Sequence, residues 1–309
     1  MKYTTVKRTV PSTDGIHTLN GIIYIPIGTP RATVQIVHGM SEHIELYEEF
    51  MGLLAENGYV VFMHDQLGHG RTAESVEKLG FFAEENGDKF LVDDAFEFAS
   101  ELLKSYSGLK LILFGHSMGS FVSRICSEKY PQMADMLIIE GSGGPQKGAQ
   151  LGIAITGLGS LVKGTEHRGE LAQKVFFDIY NTEFKEEKND FSWLTRDTQT
   201  IERHYSDEYF NFTFSMKAMN DLVVLLTQCN SDEWFENYRK DLPTLILSGE
   251  KDPVGENGKS ILEVFKRLDE SGVKDLSFKL YGECRHELLN ELNKSEVMSD
   301  ILKWLDNRI

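Results

Sequence analysis

The sequence holds only three cysteines in 309 residues. Cys126, Cys229 and Cys284 are odd in number and scattered, so they make neither a disulfide framework nor a CxxC metal site. A reducing cytoplasm is the expected location. Basic charge is also scarce: 32 Lys and Arg stand against 48 Asp and Glu, for a formal net charge of −16. Phosphate binding needs a basic footprint, and its absence argues against nucleic acid as a partner. It also disfavours adsorption to an anionic membrane through charge, and the acidity reads as a contribution to solubility. Long hydrophobic runs are missing too. The longest uncharged apolar stretch, Leu151 to Val162, is far short of the roughly 20 residues that span a bilayer. The N-terminal MKYTTVKRTVPST lacks the apolar segment of a secretory signal, so no stable membrane anchor is expected. There is no internal repeat and no low-complexity tract.

What is present is an alternation of periods. Tyr3 to Val10 and Ile16 to Ile25 are β-rich runs around the turn-forming Pro11-Ser12-Thr13-Asp14-Gly15, which predicts an antiparallel hairpin. Ala32 to Val37 is a short apolar strand ending at His38-Gly39. Leu46, Tyr47, Phe50, Met51, Leu53 and Leu54 then recur at helical spacing until Asn57-Gly58 stops the helix. The strand Tyr59 to Met63 follows, then a helix around Phe90 to Tyr106, the strand Lys110 to Phe114, a helix to Tyr130 and the strand Met136 to Glu140. After an interruption the alternation resumes with the strand Thr244 to Ser248, a helix from about Gly258 to Leu268, the strand Leu276 to Leu280 and a last amphipathic helix ending near Trp304. Such alternation predicts a mostly parallel eight-stranded sheet with helices on both faces. Residues 1–142 and 242–309 form this α/β core. Residues 143–241 break the pattern, are rich in helical periodicity and aromatics, and are too long for a structureless loop. They are expected to form a helical cap over the carboxyl edge of the sheet.

One motif carries the chemistry. Gly115-His116-Ser117-Met118-Gly119 lies directly between a strand and a helix, the G-x-S-x-G of the α/β-hydrolase fold. Glycines at 115 and 119 remove the collisions of a very sharp turn and lift the Ser117 hydroxyl above the sheet. The helix N-terminus also aims free N–H groups at whatever binds there. A serine hydroxyl needs a base. In this fold the acid and then the histidine follow the serine in chain order, leaving His167, His204 and His286. The first two fall in the expected cap, whereas His286 alone follows a core strand, in Tyr281-Gly282-Glu283-Cys284-Arg285-His286. The acid should come from the loop after another strand. Asp252, in the G-x-x-D-P of Gly249 to Pro253, is the choice, with Glu140 and Glu250 as rivals. The oxyanion needs two donors: the amide of Met118, after the nucleophile, and that of Met40, after His38-Gly39. Both methionine side chains are also candidates to line an acyl pocket. The chemistry requires no metal or organic cofactor. His64-Asp65-Gln66-Leu67-Gly68-His69-Gly70 has metal-ligand residue types, but its glycines point to a tight structural turn instead.

On these motifs, with His38-Gly39-Met40-Ser41-Glu42-His43 and Tyr47, nearly the whole chain resembles the monoacylglycerol lipase and lysophospholipase family of α/β-hydrolases, which has serine aminopeptidase-like relatives. The family writes its first motif H-G-x-G-E-H before an Arg-Tyr pair; here Ser41 replaces the second glycine and Leu46 the arginine. The resemblance implies a serine hydrolase cleaving esters of glycerol or lysolipids, with a cap over an apolar acyl channel. Leu151 to Ile155 and Phe212-Thr213-Phe214 supply apolar surface to such a cap, and Phe212 and Phe214 are the candidate substrate contacts. The rival readings are a peptidase or amidase, which needs an acidic cap residue for a substrate ammonium, and a non-catalytic binding member of the fold.

Overall fold

The computed structural model describes residues 2–146 and 148–309. In chain order its elements are β1 (Tyr3–Pro11), β2 (Thr18–Pro26), β3 (Ala32–Val37), α1 (Glu48–Glu56), β4 (Tyr59–His64), α2 (Gly87–Leu103), β5 (Leu111–His116), α3 (Met118–Lys129) and β6 (Met136–Glu140). These are followed by α4 (Ala149–Lys163), α5 (Glu170–Tyr180), α6 (Thr198–Ser206), α7 (Met216–Gln228), α8 (Asp232–Asn237), β7 (Thr244–Gly249), α9 (Lys259–Glu270), β8 (Leu276–Tyr281) and α10 (Lys294–Asp306). The eight strands form one sheet in the order β1-β2-β4-β3-β5-β6-β7-β8. β1 and β2 pair antiparallel, and β2 joins β4 antiparallel. From β4 to β8 every neighbouring pair is parallel. This is the α/β-hydrolase fold.

The central strands are buried along their whole length, as parallel strands covered on both faces must be. One core cluster joins the sheet to residues of α2, α3 and α9. The other joins it to α1 and α10. Gln35 sits in this apolar layer and donates through Nε2 to the Ala95 carbonyl of α2 at 2.8 Å, which satisfies half of an otherwise costly buried amide.

Two element bounds differ from the sequence expectation in ways that matter for the site. The strand expected to end at Phe114 runs to His116, because Gly115 and His116 still pair with Ile139 and Glu140. The helix expected from Leu46 opens with a tight 3-10 turn over Ile44–Tyr47 before α1 begins. α4 to α8 all lie between β6 and β7. Within the expected 143–241 cap, α7 packs on α3 and α2, and α8 packs on α3. Phe191, Trp193, Leu194, Ile201 and Phe210 form a separate small cluster with Val254. Two points of this insertion, Gly143 at its start and Cys229-Asn230 between α7 and α8, converge on Arg124 of α3, which is fully buried. Its guanidinium donates to the Gly143 carbonyl at 3.2 Å, to the Cys229 carbonyl and to Asn230 Oδ1 at 3.0 Å. It also lies 4.4 Å from the centre of the Trp234 ring.

Candidate active site

The strand-to-helix turn is built as its glycines demand. Ser117 has φ 50° and ψ −121°, a conformation that costs a side-chain-bearing residue of order 1–3 kcal/mol. A Cβ on Gly119 would lie 2.0 Å from the Val37 carbonyl oxygen, and one on Gly115 would lie 2.5 Å from the Gly119 carbonyl oxygen. Neither position can hold a side chain. The Ser117 amide donates to the Glu140 carbonyl at 3.0 Å, which pins the turn to the end of β6.

The structure brings Ser117, His286 and Asp252 together. Ser117 Oγ is 2.8 Å from His286 Nε2, and His286 Nδ1 is 2.9 Å from Asp252 Oδ1. Asp252 Oδ1 also accepts the Val254 amide at 2.9 Å. The loops after β7 and β8 approach closely because position 249 is glycine: a Cβ there would lie 2.2 Å from the Cys284 and Arg285 carbonyl oxygens. Asp252 and His286 are both buried, and the Trp193 ring lies 5.1 Å from the imidazole. The rival carboxylates are engaged elsewhere. Glu140 holds His116 and the Leu288 amide, and Glu250 accepts the Glu283 amide at the surface.

The loop after β3 passes beside the serine, with a Gly39 Cβ position only 3.0 Å from Ser117 Cβ. Among the described residues, neither the Met40 nor the Met118 amide has a protein acceptor. Met40 lines a cavity of about 330 Å3 over Ser117. Met118 does not: its side chain is fully buried in the core under α3, because the first residue of that helix faces the sheet. Of the two phenylalanines singled out in the sequence, Phe212 lines the cavity. Phe214 lies outside it, buried edge-on against Phe82 and His69. Gly152 also reaches the cavity, whereas Leu151 and Ile155 turn outward at 66% and 57% exposure.

The glycine-rich segment after β4 is a structural turn. Asp65 accepts the Ile44 and Arg71 amides, each at 2.9 Å, and a Cβ on Gly70 would fall 2.2 Å from its carboxyl carbon. Burial holds His64 near a pKa of 3 and His69 near 4, so both rings are neutral.

Sequence reasoning gave no role to a buried polar cluster beneath the serine. His116 stands between two carboxylates: its Nδ1 meets Glu140, and its Nε2 lies 3.4 Å from Glu42 Oε1. His204 of α6 reaches Glu287, beside His286, at 2.9 Å. Burial by itself would keep His116 neutral, but Glu140, Glu42 and Glu287 outweigh it and push the ring up to about 10. His116 and Glu42 both fall inside the sequence motifs, and their adjacency to Ser117 and Met40 was the available signal.

The raised histidine makes stability depend on pH. Its folded pKa of about 10 exceeds the ordinary 6.5, so the stabilisation is complete below pH 6.5 and is lost as pH rises towards 10. The thermal midpoint should therefore fall between about pH 7 and pH 9. His116→Gln should flatten that fall, as measured by thermal melts across the same range.

A family model described as serine aminopeptidase, S33, matches residues 28–293. The chain is 24% identical over 296 residues to rat (Rattus norvegicus) monoglyceride lipase, covering 92% of this chain and 85% of the lipase. It is also 24% identical over 301 residues to a monkeypox virus monoglyceride lipase homologue, covering 92% of each. Among solved structures, a thermostable carboxyl esterase from Bacillus coagulans superposes with a TM-score of 0.91 at 25% identity, covering 98% of both chains. The chain belongs to the serine aminopeptidase S33 family of α/β-hydrolases.

Proposed function

We propose that the protein is a serine ester hydrolase acting on monoacylglycerol-like esters, with Ser117 as nucleophile, His286 as general base and Asp252 as its acidic partner. The observation that carries this reading is the Ser117–His286–Asp252 chain of hydrogen bonds at the floor of an apolar cavity. The Ser117 hydroxyl donates to His286 Nε2, and His286 Nδ1–H donates to the Asp252 carboxylate. As the hydroxyl oxygen attacks the ester carbonyl, His286 takes its proton. Asp252 stabilises the imidazolium, and the amides of Met40 and Met118 receive the oxyanion. The alcohol leaves with the proton from His286, and water repeats the cycle on the acyl-enzyme.

Substrate class is supported from two sides. The curated relatives include monoglyceride lipases, and the esterase neighbour was solved with glycerol. Phe121, Phe176, Phe177, Phe212, Leu222 and Leu226 line the cavity, which suits an acyl chain. We read the helices before α7 as a cap over this channel. A peptidase reading needs a free carboxylate for the substrate ammonium. Among the described residues the lining carboxylates are Glu42 and Glu287, and both are already bound by protein donors. A cytoplasmic location fits the cysteines, all unpaired and buried. Among the described residues, no helix is long and apolar enough to cross a membrane.

The acyl channel is tested with nitrophenyl esters of graded length. From acetyl to octanoyl, kcat/KM should rise by up to about 0.8 kcal/mol per methylene, roughly fourfold each, until the channel is full. A flat or falling profile would leave the esterase and remove the lipid-like substrate. Labelling by a fluorophosphonate separates an enzyme from a binding protein, since an inert pocket takes no label.

A further inference from the structure

The amide proposed as an oxyanion donor, Met40 N–H, lies between the Gly39 amide and carbonyl and the Ser41 amide, all three already committed. The Gly39 amide donates to Glu42 Oε2. The Gly39 carbonyl accepts from His38 Nδ1 at 2.8 Å, while His38 Nε2 accepts the Gln66 amide at 3.0 Å. On the other side, the Ser41 amide donates to His69 Nε2 at 3.2 Å. Ser41 itself stands at φ 61°, the left-handed region that ordinarily favours glycine. The loop therefore holds a conformation it would not choose unaided, and its bonds bracket Met40.

Glu42 is the pivot of that bracket. Besides the Gly39 amide it accepts the Tyr47 hydroxyl on the same oxygen at 2.6 Å. Its other oxygen faces His116 Nε2 at 3.4 Å. His116 is held through Nδ1 by Glu140, whose second oxygen accepts the Leu288 amide at 3.1 Å, two residues beyond His286. One buried chain, Glu42–His116–Glu140, thus joins the oxyanion loop, the serine turn and the histidine loop. Such a chain is costly to bury unless every member is paired.

We propose that Glu42 is a positioning residue for catalysis: by fixing Gly39 it aims the Met40 amide at the oxyanion, and through His116 it keeps that aim registered to Ser117 and His286. The inference rests on the ester-hydrolase reading above. Glu42 does not touch the reacting atoms in this scheme, so its loss should damage the transition state and spare the ground state.

The test measures kcat and KM on nitrophenyl butyrate, together with the affinity of an alkyl boronic acid. The boronate becomes tetrahedral on Ser117 and needs the same donors. Glu42→Ala should lower kcat about 100-fold, the effect of losing one oxyanion donor, with KM within about threefold and boronate affinity falling in step with kcat/KM. Glu42→Gln keeps an acceptor for Gly39 and Tyr47 and should recover to within about tenfold of wild type. Wild-type kcat in Glu42→Ala, or a loss confined to KM with boronate affinity unchanged, overturns the proposal. If Glu42→Ala does not fold, Tyr47→Phe decides: a parallel drop in kcat and boronate affinity supports the role, and no change in either refutes it. A wild-type protein that takes no fluorophosphonate refutes the hydrolase reading along with this one. A labelled wild type with an unaffected Glu42→Ala refutes this inference alone.

Discussion

Replacing Ser117 by alanine abolishes ester turnover, lowering kcat by thousands-fold or more, while the far-UV circular dichroism and the melting profile stay close to wild type. The change removes one hydroxyl and no packing atom. It does not relieve the turn either, because alanine keeps the Cβ that makes φ 50° costly. Glycine at the same position should be equally inactive, yet more stable by about 1 kcal/mol, since it adopts that conformation freely. The pair of variants separates chemistry from strain. Fluorophosphonate labelling should vanish in both, and near-normal turnover by either would sink the assignment of Ser117.

Asp252→Asn should be nearly as severe, on the order of 10³–10⁴-fold in kcat. Two donors, the Val254 amide and His286 Nδ1–H, converge on Asp252 Oδ1. Oδ2 is buried and, among the described residues, has no hydrogen-bond partner. An asparagine keeping its oxygen at the first position preserves the imidazole's orientation, but the imidazolium formed during attack loses its buried counter-charge. Glu250→Gln, on the surface of the same loop, should leave turnover within about twofold. A mild Asp252→Asn beside a severe Glu250→Gln or Glu140→Gln would mean that a different carboxylate serves His286.

All eight strands and the order of the core helices were legible in the sequence: β3 to β7 are covered on both faces and so apolar along their length, with amphipathic helices among them, while β1 and β2 flank a turn-forming cluster. The residues that meet at Ser117 were legible too, since each follows a strand whose end the glycines mark. What was not legible depends on direction. Met118 is one residue from the nucleophile, yet the helix turns its side chain into the core. Phe212 and Phe214 are two residues apart in an irregular segment, where no periodicity says which faces the cavity. His116 was masked by its own motif, where any residue may stand between the glycine and the serine. Its role is set by Glu42 and Glu140, both distant in sequence. Within 143–241 one helical pattern runs throughout, so it does not show that α7 packs on α2 and α3 as well as on α4.

Arg124 has a consequence for how such a protein can diverge. A single guanidinium binds the Gly143 carbonyl, just after β6, and the Cys229 carbonyl, between α7 and α8. The gap between these two points is therefore set by α3 and not by the segment that bridges it. A foreign segment spliced between Gly143 and Cys229 meets the same two anchor points whatever its length. It must also replace what the present segment gives the histidine loop, the Trp193 carbonyl that accepts the His286 amide and the His204 ring that meets Glu287. Substrate range can then be exchanged only together with these supports of the base.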